Sequence, residues 1–113
     1  MATEVQTTLL EDPELYEMVR RLVDAYHPLR IYLFGSKARG DASPDSDYDF
    51  LVVVSDDAPP ELRKSKLAYE KLWGMAKPKD VLVWTSSRFD SRARVVTSLS
   101  AIVLWEGKLL YAA

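Results

Sequence analysis

The chain has no cysteine, a single histidine and only four glycines. Without cysteine there is no disulfide framework, no thiolate metal site and no thiol nucleophile, and one histidine cannot build an imidazole zinc or copper centre. No stretch approaches the ~18 uninterrupted apolar residues of a membrane helix. The opening segment MATEVQTTLLEDPE carries neither a basic leader nor a long apolar run, so the expectation is a cytoplasmic protein with no membrane attachment. A dominant charge is missing too. The 15 basic and 17 acidic residues are mixed along the chain and leave a net charge of -2, so no direct nucleic-acid binding is expected.

What is present is a chain of 113 residues, 48% of them hydrophobic, which suits one domain spanning residues 1–113. Such a chain buries about two thirds of its unfolded surface, enough for a true core. Leu15, Met18, Val19, Leu22, Val23 and Tyr26 recur at helical spacing behind Asp12-Pro13, which predicts a first helix ending near His27-Pro28. Arg30 to Phe34 and Tyr48 to Val54 are β-branched, aromatic and short, and read as strands. A second long helix is expected over Glu61 to Gly74, with Leu62, Tyr69, Leu72 and Trp73 on one face. Asp80 to Thr85 reads as a third strand. A third long helix is expected behind an Asp90 cap, carrying Val95, Val96, Leu99, Ile102 and Val103, before a last strand at Leu109 to Tyr111. The pattern is an α/β layer fold in which helices cover a small sheet.

The chemistry concentrates in GSKARGDASPDSDYDF, Gly35 to Phe50, immediately ahead of the apolar run Leu51 to Val54. Strand alternation puts Asp47 and Asp49 on the same side, about 6.6 Å apart at Cα. Paired carboxylates raise one another's pKa, a cost that a cation between them removes. With oxygen the only donor on offer, a hard ion such as Mg²⁺ or Mn²⁺ is favoured. Magnesium commonly completes its shell with phosphate, and Gly35-Ser36 would supply an anion cradle if a helix begins there.

Competing readings of the same letters fail on particular positions. Gly35 and Gly40 have P-loop spacing, but Asp41-Ala42 stands where Lys-Ser/Thr is needed. Asp45, Asp47 and Asp49 imitate a calcium loop, yet its sixth position is Phe50 and its twelfth is Asp56. Arg39-Gly40-Asp41 matches an adhesion tripeptide by letter only. An isolated Asp-x-Asp is more often a solvated turn than a metal site; here the Gly-Ser turn and the following strand reverse that balance. His27 reads as a helix-end surface residue, and Trp73, Trp84 and Trp105 as core or rim packing. Arg88, Arg92 and Arg94 read as a charged first turn.

Gly35-Ser36, ten intervening residues, then Asp47-x-Asp49 and an apolar strand resembles the signature of the polymerase-β-type nucleotidyltransferases. Gly35, Ser36, Ala38, Arg39, Gly40, Ser46, Asp47 and Asp49 match in order the motif of the minimal nucleotidyltransferases. The resemblance implies a small mixed sheet of about four strands flanked by three main helices. It also implies a third carboxylate opening a later strand, a position that Asp80 fills; Asp56 and Asp57, at the far end of the second strand, are poorer candidates.

By that resemblance Asp47, Asp49 and Asp80 are catalytic and hold two Mg²⁺ ions, with Mn²⁺ as an alternative. ATP is the substrate. Gly35 and Ser36 grip its phosphates, and Lys37 and Arg39 either neutralise phosphate charge or, for Arg39, pin the loop through its aspartates. Stand-alone chains of this size resemble the MNT antitoxins of two-gene modules, whose partner is a HEPN-type toxin; some such antitoxins transfer AMP from ATP to a tyrosine of it. Two alternatives stay open: an antitoxin that masks its partner by stoichiometric binding, and a small-molecule nucleotidyltransferase acting as a homodimer.

Overall fold

The computed structural model describes residues 11–40, 43, 46–95 and 97–113. Helix α1 (Pro13–Tyr26) leads into strand β1 (Arg30–Phe34), the one-turn helix α2 (Ser36–Arg39) and strand β2 (Tyr48–Val54). A 3₁₀ turn (Pro60–Arg63) and helix α3 (Lys66–Lys71) precede β3 (Lys79–Thr85); α4 (Ser86–Arg92), α5 (Leu99–Glu106) and β4 (Lys108–Ala112) complete the order. Among the described residues the strands form one mixed sheet in the order β3-β2-β1-β4. β1 runs antiparallel to β2 and β4, and β2 runs parallel to β3. No described helix is long and apolar enough to cross a membrane.

Strand β2 explains the architecture. Phe50, Leu51, Val52 and Val53 are all fully buried, on alternating faces. A strand covered on both sides needs a continuous apolar run in place of alternation, and FLVVV is one. One face packs Ile31, Leu33, Phe50, Val52, Val54 and Val81 against Leu15, Met18 and Leu22 of α1 and Ala68 of α3. The other packs Tyr32, Leu51 and Val53 against Phe89 of α4 and Val103 of α5. Each such fully buried Leu, Val or Phe contributes about 1.5–3 kcal/mol relative to exposure.

The first helix and the strands match the sequence expectations. Asp12 caps α1, its Oδ1 accepting from Leu15 N–H at 3.1 Å, and exposed His27 ends it in a left-handed conformation with φ 47°. Among the described residues, two long helices do not form. Over 61–74 the chain splits at Lys64, where the Tyr26 hydroxyl donates to Lys64 O at 2.5 Å and accepts from Ala68 N–H at 2.9 Å. That hydroxyl occupies the place of the helical bond between Ala68 and Lys64, a side-chain insertion that breaks the ladder. The helix expected behind Asp90 is likewise two helices, capped by Thr85 and Ser98, with Asp90 inside the first. Ser98 Oγ accepts from Ala101 N–H at 3.1 Å and donates to Arg92 O at 2.5 Å, so one side chain starts α5 while tying it to the end of α4. Val96 lies outside the described residues. Trp73 and Trp105 are 85% and 89% exposed, contrary to the packing roles expected of them; Trp84 is half-buried beneath Arg88, whose guanidinium sits 4.3 Å from the ring centroid.

Candidate active site

The sheet topology brings three segments to one edge of the molecule: the end of β1 and the starts of β2 and β3. Asp49 pairs with Phe34 across the antiparallel ladder and with Asp80 across the parallel one. In-register neighbours on adjacent strands lie about 4.8 Å apart with side chains on the same face, so Asp49 and Asp80 form a carboxylate pair. Asp47 immediately precedes β2 and is exposed, as is Asp80; Asp49 is half-buried.

Gly35 closes the site from the β1 side. It caps α2 with φ 75° and ψ -159°, a conformation open to glycine and strained for other residues. A Cβ there would also run into Asp49 Oδ2 and approach Asp49 Cγ to 3.3 Å, so the turn and the carboxylate fit only because the side chain is absent. The turn is fastened by N–H donation from Ala38 and Arg39 to Gly35 O, both at 3.1 Å. The first amides of α2 have no carbonyl of their own turn to bond, as at any helix start, and half-buried Ser36 stands at that opening.

The electrostatics are unbalanced in a consistent direction. Burial pushes the Asp49 carboxyl above its ordinary pKa, the charges of Asp47 and Asp80 push it further, and Arg39 opposes them. Arg39 is exposed and lies 3.5 Å, Nη1 to Oε2, from Glu106 at the end of α5. Lys37 is turned elsewhere: its ammonium sits 4.5 Å from the ring centroid of Tyr48, whose side chain leaves β2 on the face opposite Asp49. The Tyr48 hydroxyl donates to Asp12 Oδ2 at 2.5 Å, joining this strand start to the cap of α1. Asp41 and Asp45, the loop aspartates that Arg39 was expected to pin, lie outside the described residues.

Asp80 carries a bond that sequence reasoning missed. The Tyr69 hydroxyl donates to Asp80 Oδ1 at 2.8 Å and accepts from Val81 N–H at 3.1 Å. Burial is the main force raising the Tyr69 pKa, with the Asp80 bond and charge adding to it and the Val81 bond opposing. The sequence offers no signal for the pairing, since Tyr69 reads there as one member of an apolar helix face. Asp56 belongs elsewhere: its Oδ1 accepts from Ser87 N–H at 2.9 Å, at the start of α4.

All the acids here offer oxygen, which suits a hard divalent ion, and the mutual repulsion at Asp49 is what such an ion would relieve. Among the described residues no group of three or more His, Cys, Asp or Glu side chains is drawn together closely enough to hold a metal as it stands. Asp47, Asp49 and Asp80 are thus neighbours without forming a closed shell, and Oδ1 of Asp80 is engaged by Tyr69.

A family model described as a nucleotidyltransferase domain matches residues 14–103. A crystal structure of a provisionally assigned nucleotidyltransferase from Sulfolobus solfataricus aligns with 98% of this chain and 86% of its own, at 22% identity and a TM-score of 0.59. A toxin–antitoxin structure with AMP-PNP aligns with 86% of this chain and 73% of its own, at 24% identity and a TM-score of 0.57. A mutant of the toxin–antitoxin MntA-HpeT, in which two aspartates two positions apart are glutamate, aligns with 87% of this chain and 72% of its own, at 21% identity and the same TM-score of 0.57. No curated protein sequence matches the chain. At these identities the structural likenesses establish the fold.

Proposed function

The chain belongs to the nucleotidyltransferase-domain family and has the polymerase-β-like fold, and from that premise we propose that it transfers AMP from ATP, with Mg²⁺, to a hydroxyl of a partner protein. The acceptor in this reading is a tyrosine of a HEPN-type toxin, for which the chain is the cytoplasmic antitoxin. The observation that carries the proposal is the register: Asp80 stands beside Asp49 on one face of the sheet, with Gly35 closed against Asp49. Likeness to a toxin–antitoxin structure with AMP-PNP supports the choice of nucleotide and of partner class.

In this reading Asp47, Asp49 and Asp80 would hold Mg²⁺, with Mn²⁺ as a substitute. The ions, when bound, supply neutralisation of the triphosphate and acidify the attacking hydroxyl. Gly35 and Ser36 receive the β- and γ-phosphates at the start of α2, donating to charge that grows as pyrophosphate departs. Arg39, already beside Asp49 in its electrostatics, lends positive charge to the same region. Lys37 reaches it only by leaving the Tyr48 ring. The acceptor oxygen bonds to the α-phosphorus, the bond from that phosphorus to the bridging oxygen breaks, and Asp80 takes the hydroxyl proton.

One observation favours a second reading. Apolar Ile102, Leu104 and Trp105 are exposed on helix α5, a surface suited to covering a partner by binding alone. Inhibition of the partner with and without ATP separates the two: chemistry requires ATP and fails in Asp47→Asn, whereas masking needs no ATP and survives that substitution.

A further inference from the structure

We propose that Tyr69 is a positioning residue for Asp80, holding one carboxylate oxygen at the sheet edge so that the other is presented beside Asp49. This inference rests on the metal-dependent reading above and deepens it, because it assigns a role to a residue on an element that the sequence motif does not include.

Among the described residues β3 lies at the edge of the sheet and pairs only with β2. An edge strand leaves alternate N–H groups without a ladder partner. Val81 N–H is bonded instead to the Tyr69 hydroxyl oxygen at 3.1 Å. A phenol has one proton to give, and with its oxygen already accepting from an amide that proton is directed to Asp80 Oδ1 at 2.8 Å. The hydroxyl therefore bridges two adjacent residues of β3, and the Asp80 side chain cannot rotate about χ1 without losing the bond. Asp80 is itself exposed, with side-chain freedom to lose, so a fixed donor on one oxygen restricts the direction of the other. Donors that orient a metal-binding carboxylate in this way are worth about 10–100-fold in metal affinity.

The position of Tyr69 follows from the break in the helix expected over 61–74. α3 begins only at Lys66, after Tyr26 has taken the Lys64 carbonyl, and Ala68 and Leu72 are the residues of this segment that enter the core. Tyr69, next to Ala68, is left 42% exposed at the rim, with its ring outside the core and its hydroxyl at the strand edge. Among the described residues, the hydroxyl's partners, Asp80 and Val81, both lie on β3.

The test is Mn²⁺ binding, followed by electron paramagnetic resonance in the presence of AMP-PNP, for the full chain and for Tyr69→Phe, Asp80→Asn and the double variant. The full chain binds, Asp80→Asn weakens binding, Tyr69→Phe weakens it ~10-fold or more, and adding Tyr69→Phe to Asp80→Asn changes nothing further. Circular dichroism of Tyr69→Phe stays that of the parent. Unchanged Mn²⁺ affinity in Tyr69→Phe overturns the inference and leaves the metal reading intact. An equal loss on adding Tyr69→Phe to either background also overturns it, since the hydroxyl would then act without Asp80. No Mn²⁺ binding by the full chain removes the metal reading itself, and this inference with it.

Discussion

The two ends of strand β2 carry similar letters and do opposite things with them. Beyond its last residue, Asp56 accepts from Ser87 N–H through its side chain and from Arg63 through its carbonyl, and Asp57 N–H donates to Ser55 Oγ at 3.2 Å. Those polar groups are committed to holding a loop against α4. At the first end Asp49 is half-buried, is pushed above its ordinary pKa by burial and by Asp47 and Asp80, and presses on a glycine that only a bare backbone can match. An acid whose bonds are all internal stabilises the fold. An acid kept in repulsion with its neighbours lowers stability until something cationic arrives, which is how a binding site differs from a turn.

The contrast breaks most completely at Asp49. Asp49→Asn should abolish transfer of adenylate label while the far-ultraviolet circular dichroism stays that of the parent; full labelling by this variant would place the chemistry elsewhere. Gly35→Ala comes next. It introduces both a strained φ and a collision with Asp49, and a loss of about 1–3 kcal/mol in urea unfolding is expected for such a backbone position. Asp56→Ala tests the other end: loss of the bond to Ser87 should cost about 1 kcal/mol while leaving label transfer unchanged.

The smallest effect is the most pointed. Because the Asp49 pKa is raised by folding, its contribution to stability is fully present below the unfolded-state pKa and is lost as pH rises through the folded value. Metal-free Asp49→Asn should therefore gain in melting temperature relative to the parent as pH rises from the acid range to neutrality. A gap that stays constant across that range would mean that the carboxylate carries no such penalty.

The sequence was most legible where local chemistry and burial agree. YDFLVVV read as a strand and is one, and Asp12-Pro13 read as the start of a helix and caps α1. The Gly-Ser turn was legible as the start of a helix and Asp49 as part of the following strand, whereas Asp47 lies just ahead of β2, where strand alternation does not set its direction. Asp80 was placed by resemblance, and its register beside Asp49 came from the parallel pairing of β2 with β3, which no local window contains. The two long helices were misread because the decisive groups lie far along the chain or compete locally: Tyr26 breaks a helix 38 residues away, and Ser98 offers a new cap inside an apolar period. Trp73 and Trp105 were read as packing residues because hydrophobicity alone does not say which side of a helix the core occupies. Tyr69 illustrates the same limit at the site, since its hydroxyl finds β3 only once α3 is shortened.

Transfer of label from ATP, tagged at either the α- or the γ-phosphate, onto the partner chain in Mg²⁺ decides whether this chain is a nucleotidyltransferase. Covalent label from the α-phosphate alone, lost in Asp49→Asn, is the expected result. Label from the γ-phosphate would contradict it, as would a tight and inhibitory complex that acquires no label from either position.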